Sequence, residues 1–358
     1  MKLKTLRLGL IGCGHIAQMH IDSLLQLREA GLEPLELVLA CDLEPERVEL
    51  FRRNYGFAGG TTDCRRMFEA GLDALYICSP TRDHLEPVLQ AAGQGLPIFC
   101  EKPLGRNLAE VERMARAVEE ASLPAQLGLV LRFSPVYQVM RQLLHEEGVG
   151  RPMAAVFRDD QYFPIGGSYH SQWRSDLEVV GGGALLEHSI HDLDLLRWFF
   201  GEVTRVEART DYFSGRVGIE DSAVLLLEFA SGARATLVSL WHQMLGRESN
   251  RNLELFCERR YLASSADMLG TISVQDQHGP VRTLSTRAVD RSHRRFLGRK
   301  APPGELAHNP YVLENLAFLR SLRTGTKPFP DFATGLAAHR IVDAAYQSAR
   351  RQVPISVS

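Results

Sequence analysis

The sequence predicts an α/β protein with two domains, in which a doubly wound parallel sheet is followed by a second domain built on an antiparallel sheet. Over the first 125 residues, short apolar runs alternate with segments of helical periodicity, a pattern typical of parallel strands joined by right-handed crossover helices. Beyond that point, strand-like runs follow one another with few helices between them. A chain of 358 residues also has room for two domains of about 150 residues each. We therefore expect domains at 1–125 and 126–358.

The strands and helices of the first domain alternate in order along the chain. Four apolar runs have the length of buried strands, and a fifth lies at the domain boundary: Leu6–Ile11, Leu35–Ala40, Ala74–Cys78, Pro97–Cys100 and Gln126–Val130. Four segments between them have helical spacing of their apolar residues: His15–Leu27, Glu44–Tyr55, His84–Gly93 and Asn107–Ser122.

The second domain is predicted from five runs with strand character: Ala154–Arg158, Arg205–Thr210, Ala223–Phe229, Ala233–Leu240 and Asn252–Phe256. The short Ala230–Gly232 link between two of them has the composition of a hairpin turn. Two closing helices are expected at Asn309–Gly325 and Phe332–Arg350.

Composition and charge exclude several classes of protein. The 41 basic and 43 acidic residues give a net charge of −2, which argues against a nucleic-acid partner bound by bulk charge. No apolar run reaches the ~18 residues of a membrane span, and MKLKTLRLGLIGCG has no small-residue cleavage site after it. None of the six cysteines forms a CxxC pair, which favours reduced thiols and a cytoplasmic location.

A basic segment between residues 287 and 300 contains five arginines, one lysine and the single acid Asp290. We expect it to be a solvated, mobile loop. Two other hypotheses are contact with a phosphate-bearing substrate and contact with another subunit.

The segment Gly12–Ala17, with the sequence GCGHIA, follows the first predicted strand and opens the first predicted helix. This context is the one in which a G-x-G-x-x-[GA] pattern binds a dinucleotide. Gly12 permits the tight turn, Gly14 lets the backbone approach a pyrophosphate, and Ala17 lets the helix lie close to the strand. The free N–H groups of the helix N-terminus, at His15 and Ile16, would face the anion.

Asp42 ends the second predicted strand, where an acid can accept hydrogen bonds from the ribose hydroxyls and repel a 2′-phosphate. This favours NAD as the cofactor over NADP. Arg47 keeps NADP possible, because a nearby arginine can accommodate the extra phosphate.

The segment Gly181–Trp198 begins with three glycines, which we expect to give a flexible start to one long helix. At about 100° per residue, Glu187, His191 and Asp194 fall on one stripe of that helix. An exposed polar face is one interpretation and a catalytic site is another. A metal site with His188, His191 and Asp194 is not favoured, because His188 lies off the stripe and no H-E-x-x-H order is present. We expect no metal.

Taken together, these segments and several others resemble the glucose–fructose oxidoreductase/inositol dehydrogenase (Gfo/Idh/MocA) family over nearly the whole chain. The resemblance rests on the glycine turn, on Gly181–Asp194 and on four further segments: Ser79–His84, Glu101–Pro103, Arg132–Pro135 and Trp173–Arg174. It implies an N-terminal Rossmann domain and a C-terminal α+β domain with a mostly antiparallel open sheet. The outer face of that sheet commonly joins subunits, so we expect a homodimer or homotetramer.

The resemblance also implies residue roles. Lys102 and His191 match the catalytic lysine and histidine of the family, while Glu187 stands where the family usually has Asp. Thr81 replaces a frequent Asn. The expected cofactor-binding residues, from the glycine turn, Asp42 and the resemblance together, are Gly12, Gly14, His15, Ile16, Asp42, Ser79, Pro80, His84, Glu101 and Lys102.

These residues predict transfer of a hydride between NAD(P) and a secondary alcohol of a sugar, cyclitol or related polyol. His191 would take the hydroxyl proton and Lys102 would stabilise the alkoxide, both at the same nicotinamide ring. Glu187 or Asp194 would orient the imidazole, and four residues are candidates for contact with substrate: Arg132, Trp173, Arg174 and Asp194. Three alternatives are an NAD-dependent glycosidase that works by transient oxidation, a non-catalytic NAD-binding regulator, and a reductase of another carbonyl or imine.

Overall fold

The computed structural model describes residues 4–166, 171–244, 246 and 249–357. The chain divides into two compact units. The first comprises residues 1–129 and 311–336, and the second comprises residues 130–310 and 337–358. The expected split into two consecutive domains therefore differs from the structure at residues 311–336, which return to the first unit.

The first unit contains a six-stranded parallel sheet with the order β3-β2-β1-β4-β5-β6. Every neighbouring pair is parallel, so the predicted doubly wound sheet is confirmed. Its strands are β1 Leu6–Ile11, β2 Leu35–Cys41, β3 Gly59–Thr61, β4 Ala74–Ile77, β5 Ile98–Glu101 and β6 Ala125–Gly128. The short β3, at the sheet edge, is absent from the sequence prediction because its Gly-Gly-Thr composition has no apolar run.

The four predicted helices of this unit are present as α1 His15–Glu29, α2 Pro45–Tyr55, α3 Leu85–Gln94 and α4 Leu108–Glu120. Two 3₁₀ helices accompany them, at Cys64–Glu69 and Thr81–Asp83. One core cluster joins the buried sides of β4, β5 and β6 to the apolar faces of α3 and α4. This packing leaves the residues that follow each strand in loops at the carboxyl edge of the sheet, where open parallel sheets bind their ligands.

The second unit contains a nine-stranded sheet with the order β14-β13-β12-β11-β7-β10-β9-β8-β15. All pairs are antiparallel except β7 with β10. The strands are β7 Pro152–Tyr162, β8 Val203–Asp211, β9 Ser222–Phe229, β10 Arg234–His242, β11 Asn250–Cys257, β12 Arg260–Ser264, β13 Ile272–Asp276, β14 Arg282–Leu284 and β15 Ile355–Ser356. The mostly antiparallel sheet is confirmed, and β9 and β10 form the predicted hairpin.

Helices of this unit are shorter and more numerous than predicted. Five precede or follow the sheet strands: α5 Pro135–Leu144, α6 Leu177–Val180, α7 Ala184–Glu187, α8 Ile190–Phe200 and α9 Thr286–Leu297. Four 3₁₀ helices lie at Val130–Phe133, Gln172–Ser175, Gly298–Lys300 and Gly304–His308. The two closing helices are α10 Pro310–Thr324, which belongs to the first unit from Tyr311 onward, and α11 Phe332–Arg351, which belongs to the second unit from Ala337 onward.

The prediction of one long helix with a flexible start at residues 181–198 is wrong in two respects. The helix is interrupted at His188 and Ser189, between α7 and α8, so Glu187 and His191 lie on different helices. The glycines are tightly packed: a Cβ on Gly183 would lie 1.9 Å from the carbonyl oxygen of Glu220, and one on Gly182 would lie 2.4 Å from the Tyr346 hydroxyl. The glycines are needed for close approach rather than for flexibility.

The prediction of a loop in the basic segment is also wrong, because residues 286–297 form α9. Ser285 caps this helix by accepting a hydrogen bond from the N–H of Ala288. The helix buries Val289 and His293, and the His293 ring lies 2.9 Å from the Gln138 side chain on α5. The segment is mostly charged, and only Val289 and His293 are buried. The sequence therefore lacks the repeated apolar spacing from which a helix is predicted.

Among the residues that the structure describes, no helix is both long enough and apolar enough to cross a membrane.

Candidate functional site

The glycine turn joins β1 to α1 at the carboxyl edge of the parallel sheet. Gly12 has a φ of +89°, and a Cβ there would lie 2.4 Å from the Ser79 backbone nitrogen, so only glycine fits. A Cβ on Gly14 would meet no atom within 4 Å, so open space lies beside this residue. Gly14 is the N-cap of α1, and His15 and Ile16 begin the helix, so the first turn points its amide ends toward that space.

Asp42 follows β2 and is fixed by the glycine turn. Its Oδ2 accepts a hydrogen bond from the backbone N–H of Cys13 at 2.7 Å, and its Oδ1 accepts one from Glu44 at 3.0 Å. The carboxylate is therefore anchored beside the turn with lone pairs left over. The Arg47 guanidinium is paired with Glu44 at 2.9 Å, so a carboxylate already neutralises the cation that kept NADP possible.

The loops after β4 and β5 are tied together by His84. Its Nε2 lies 2.9 Å from the carbonyl oxygen of Ser79, and its Nδ1 lies 3.1 Å from that of Pro103. The ring is buried, whereas Ser79 and Pro80 are partly exposed. His84 is one of the predicted cofactor-binding residues. In this structure its ring contacts both loops and holds them together.

The turn after β5 is held by a second buried histidine, His20 of α1, which the sequence analysis did not identify. The Nε2 of His20 lies 2.7 Å from Oε1 of Glu101, and Oε2 of Glu101 accepts the backbone N–H of Lys102 at 3.0 Å. His20 sits one turn after Ala17 and one turn before Leu24, both fully buried. A histidine on the apolar face of a helix was the signal that could have revealed it.

A second buried acid lies near Glu101 in this unit. Glu314 of α10 is fully buried, and neither of its carboxyl oxygens has a hydrogen-bond partner among the described residues. Burial, reinforced by the nearby charge of Glu101, raises the pKa of Glu314 well above its ordinary value. Burial therefore favours the uncharged form of this carboxyl group.

In the second unit, a buried carboxylate holds the glycines before α7. Glu220 accepts hydrogen bonds from the backbone N–H groups of Gly183 and Leu185 at 2.8 and 2.9 Å, and from the Tyr346 hydroxyl at 2.9 Å. Burial raises the pKa of Glu220 to about 7 in spite of these donors. Glu220 thus anchors the start of the segment that carries Glu187 and His191, and no short motif marks it.

Glu187, at the end of α7, is buried and forms an ion pair with Arg174, whose Nε lies 3.2 Å from Oε2. Arg174 also donates to the Ser171 hydroxyl at 2.7 Å, and its guanidinium lies 4.3 Å from the centre of the Trp173 ring. Three of the residues predicted for the site therefore form one cluster. The glutamate is one methylene longer than aspartate, and its carboxylate is in contact with a cation.

Arg132 and Asp194 form a bidentate ion pair, with Nε–Oδ2 and Nη2–Oδ1 distances of 2.6 and 2.8 Å. Both side chains are at most 5% exposed, and the Arg132 guanidinium lies 5.4 Å from the centre of the Trp198 ring. The buried pair fastens α8 to the 3₁₀ helix at Val130–Phe133. These contacts are those of a brace for the helix that carries His191.

A second charged cluster anchors the other side of the same helix. The buried Arg251 donates to Asp192 at 2.8 Å, to Asp267 at 2.7 Å and to Asp159 at 3.1 Å. His188 lies 3.0 Å from Asp159, so the alternative metal ligand is part of this cluster. Within residues 4–166, 171–244, 246 and 249–357, no three His, Cys, Asp or Glu side chains are arranged to hold a metal ion.

Comparisons with known proteins agree with this architecture. Residues 6–129 match a family model described as "Oxidoreductase family, NAD-binding Rossmann fold", and residues 137–263 match "GFO/IDH/MocA C-terminal domain". The myo-inositol 2-dehydrogenase of Thermotoga maritima is 26% identical over 334 residues, which cover 90% of each chain. The rhizopine catabolism protein MocA of Rhizobium meliloti is 30% identical over 242 residues, or 65% of this chain and 70% of that protein.

The fold is shared with solved structures as well. Levoglucosan dehydrogenase in complex with NADH and levoglucosan superposes with a TM-score of 0.87 at 22% identity, covering 99% of this chain and 100% of that one. The sequence matches and the shared fold together confirm the family that the residues predicted. This chain belongs to the Gfo/Idh/MocA family of oxidoreductases, and its first unit is the NAD-binding Rossmann domain of that family.

Proposed function

We propose that the protein transfers a hydride between NAD and a secondary alcohol of a sugar, cyclitol or related polyol. The observation that carries this proposal is the placement of Lys102 directly after β5, at the sheet edge where the glycine turn also lies. Relatives of this chain include an inositol dehydrogenase, and a structural neighbour binds NADH and levoglucosan. Both are consistent with a polyol substrate.

The glycine turn and Asp42 would hold NAD, which would supply the acceptor for the hydride of the carbinol carbon. In our proposal the chain supplies the two remaining requirements. The His191 imidazole accepts the hydroxyl proton, which an unperturbed imidazole can do near neutral pH. The Lys102 ammonium stabilises the negative charge that develops on the alkoxide oxygen.

We assign Glu187 and Arg174 to substrate positioning as one unit. Their ion pair neutralises the charge of each partner, which favours an uncharged polyol over a sugar acid or a sugar phosphate. The lone pairs of the carboxylate and the outer N–H groups of Arg174 can hydrogen-bond to hydroxyl groups. Trp173 supplies an aromatic ring beside them, although Arg174 covers part of it.

For the cofactor, we propose that Asp42 selects NAD over NADP. Its two backbone hydrogen bonds fix the carboxylate beside the glycine turn. A 2′-phosphate placed there would meet this charge, and the Glu44–Arg47 pair offers little net positive charge to offset it.

We also propose that the sheet of the second unit joins copies of the chain into a homodimer or homotetramer. One face of this sheet exposes large apolar side chains: Val156 on β7, Val224 and Leu226 on β9, and Phe256 on β11. Exposed apolar side chains gathered on one face of a sheet are typical of an interface. Light scattering on the wild type and on Leu226→Lys tests it, and a monomeric wild type would contradict it.

A spectrophotometric screen of sugars and cyclitols with NAD and NADP tests the main proposal. We expect NADH to form with at least one uncharged polyol, and faster with NAD than with NADP. Glycoside cleavage without net NADH would instead identify an NAD-dependent glycosidase. Tight NAD binding without turnover on any sugar or cyclitol would identify a regulator, and both outcomes contradict the proposal.

A further inference from the structure

We propose that His20, held by Asn315, is a positioning residue that fixes the main chain of Lys102 through the carboxylate of Glu101. The inference rests on the proposed catalytic role of Lys102. It concerns residues that all lie within the first unit, and none of the predicted site residues except Glu101 and Lys102 takes part in it.

The first step of the argument is the orientation of Asn315. Its Nδ2 donates to the carbonyl oxygen of Tyr311 at 2.9 Å, so its Oδ1 is the atom that faces Nδ1 of His20, at 3.3 Å. An amide oxygen only accepts hydrogen bonds. Nδ1 of His20 therefore carries a proton, and Asn315 fixes the tautomer and the ring orientation.

The second step concerns the other side of the ring. Nε2 of His20 lies 2.7 Å from Oε1 of Glu101, and both side chains are buried. The distance between Nε2 and Oε1 is that of a short hydrogen bond between two buried side chains. Because the pair is desolvated, loss of either partner leaves a buried polar group without compensation.

The third step connects the pair to Lys102. Oε2 of Glu101 accepts the Lys102 backbone N–H at 3.0 Å, so the same carboxylate that binds His20 also fixes the backbone at the proposed catalytic residue. On its other side, Glu101 is confined by Gly128 of β6, where a Cβ would lie 2.6 Å from Oε1. Gly128 therefore leaves room for the carboxylate at a place where a side chain would displace it.

The fourth step is the contrast with Glu314. Burial, together with the nearby charge of Glu101, raises the pKa of this second buried carboxyl. It has no hydrogen-bond partner among the described residues. The carboxyl oxygens of Glu314 therefore hold neither the imidazole nor the Lys102 backbone. The two glutamates therefore differ in role because only Glu101 is within reach of an imidazole and of the Lys102 N–H.

The test uses His20→Leu, Glu101→Gln and the double variant, with Ser23→Ala as the matched control. Ser23 is buried on the same helix and donates to the Met19 carbonyl without touching Glu101. Two quantities are measured on the full chain: kcat with the best polyol at saturating NAD, and the rate at which acetic anhydride labels Lys102 in the absence of cofactor. Only five lysines are present, and Lys4 and Lys327 serve as internal standards for the labelling.

For His20→Leu and Glu101→Gln we expect kcat to fall on the order of 100-fold, as for other small displacements of a reacting group. Relative to Lys4 and Lys327, Lys102 is labelled faster because its backbone is released. The double variant is no worse than the more severe single variant, since both remove the same link. His20→Gln, which keeps a donor for Glu101, recovers most of kcat, and Ser23→Ala behaves as wild type.

A purely structural role for His20 predicts a lower melting temperature with wild-type kcat and wild-type Lys102 labelling, and that result overturns the inference. The inference is also overturned if the fold-loss of kcat in the double variant equals the product of the two single losses, because the two residues would then act independently. If His20→Leu does not fold, the nearly isosteric Glu101→Gln supplies the same comparison. Failure of the proposed role of Lys102 gives a different result. Lys102→Ala would then keep full turnover, while the labelling rate of Lys102 in the His20 and Glu101 variants would still show whether His20 fixes that residue.

Discussion

The two units position the side chains that we propose to be functional by different means. In the first, the glycine turn, Asp42 and the Glu101–Lys102 turn each follow a parallel strand directly, and backbone N–H groups supply many of their contacts. In the second, the helix that carries His191 is braced by buried charges from distant positions in the sequence, such as Arg132 with Asp194 and Arg251 with Asp192. Local sequence order therefore positions the candidate residues of the first unit, and long-range ion pairs position those of the second.

This contrast predicts that single substitutions in the charged clusters of the second unit destabilise the protein most. Arg251→Leu leaves Asp159 and Asp192 buried without their cation, a change that costs about 3–5 kcal/mol of unfolding free energy when one partner of a buried pair is lost. Chemical denaturation measures it. The matched control is Arg209→Leu, whose ion pair with Glu207 is exposed. Equal stability of the two variants would show that the cluster does not brace α8.

Two glycine substitutions sharpen the comparison. Gly183→Ala places a Cβ 1.9 Å from the Glu220 carbonyl oxygen, so we expect a loss of about 1–3 kcal/mol or more from overpacking. Gly14→Ala meets no protein atom, so it leaves the melting temperature nearly unchanged but weakens NAD binding, because the methyl group occupies the space for the pyrophosphate.

Calorimetry and a fluorescence titration of NAD measure these two effects. A stable Gly183→Ala variant, or a Gly14→Ala variant with normal NAD affinity, would contradict the assignment of these glycines to packing and to the cofactor.

Glu220 makes the stability of the second unit depend on pH. Burial raises its pKa from 4.5 to about 7, so between these values the native state binds more protons than the unfolded state, and stability falls as pH rises. The contribution is complete below about pH 4.5, is lost by about pH 7, and amounts to roughly 3 kcal/mol at most. Glu220→Gln removes this component, so the difference in unfolding free energy between wild type and variant changes across that window. A constant difference would contradict it.

The smallest expected effect is on cofactor choice. Asp42→Asn keeps an acceptor for the Cys13 N–H but removes the charge, so we expect NAD affinity to fall about tenfold, the cost of losing a charged hydrogen-bond partner. The affinity for NADP should fall less or rise. Titration of both nucleotides measures the ratio, and an unchanged ratio would rule out Asp42 as the selecting residue.

The fold of the first unit could be predicted from the sequence because buried parallel strands appear as short apolar runs with helical segments between them. The second half was accessible only in outline. Strands β12, β13 and β14 mix polar and apolar residues at the sheet edge, and α9 buries only Val289 and His293 beneath a basic surface. Neither produces a strong periodic signal.

Within the candidate site, the glycine turn and the Lys102 turn follow from local patterns, whereas His20, Asn315 and Glu220 do not. His20 and Asn315 are in contact although they are 295 positions apart in the sequence. Glu220 accepts a hydrogen bond from the N–H of Gly183, which is 37 positions away. Such pairs depend on tertiary packing, which no short motif encodes. The interrupted helix after Glu187 has the same origin, because the buried Asp159 and Ser239 side chains bind Ser189 at the break.

The central claim is that Lys102 and His191 serve one hydride-transfer reaction. A single-turnover measurement of NADH formation from a polyol that is active in the screen, made on wild type, Lys102→Ala and His191→Ala at saturating NAD and substrate, tests it most directly. We predict that each variant loses about 100-fold or more of the hydride-transfer rate, the usual contribution of a positioned acid–base group, while still binding NAD. A variant that keeps the wild-type rate would contradict the claim.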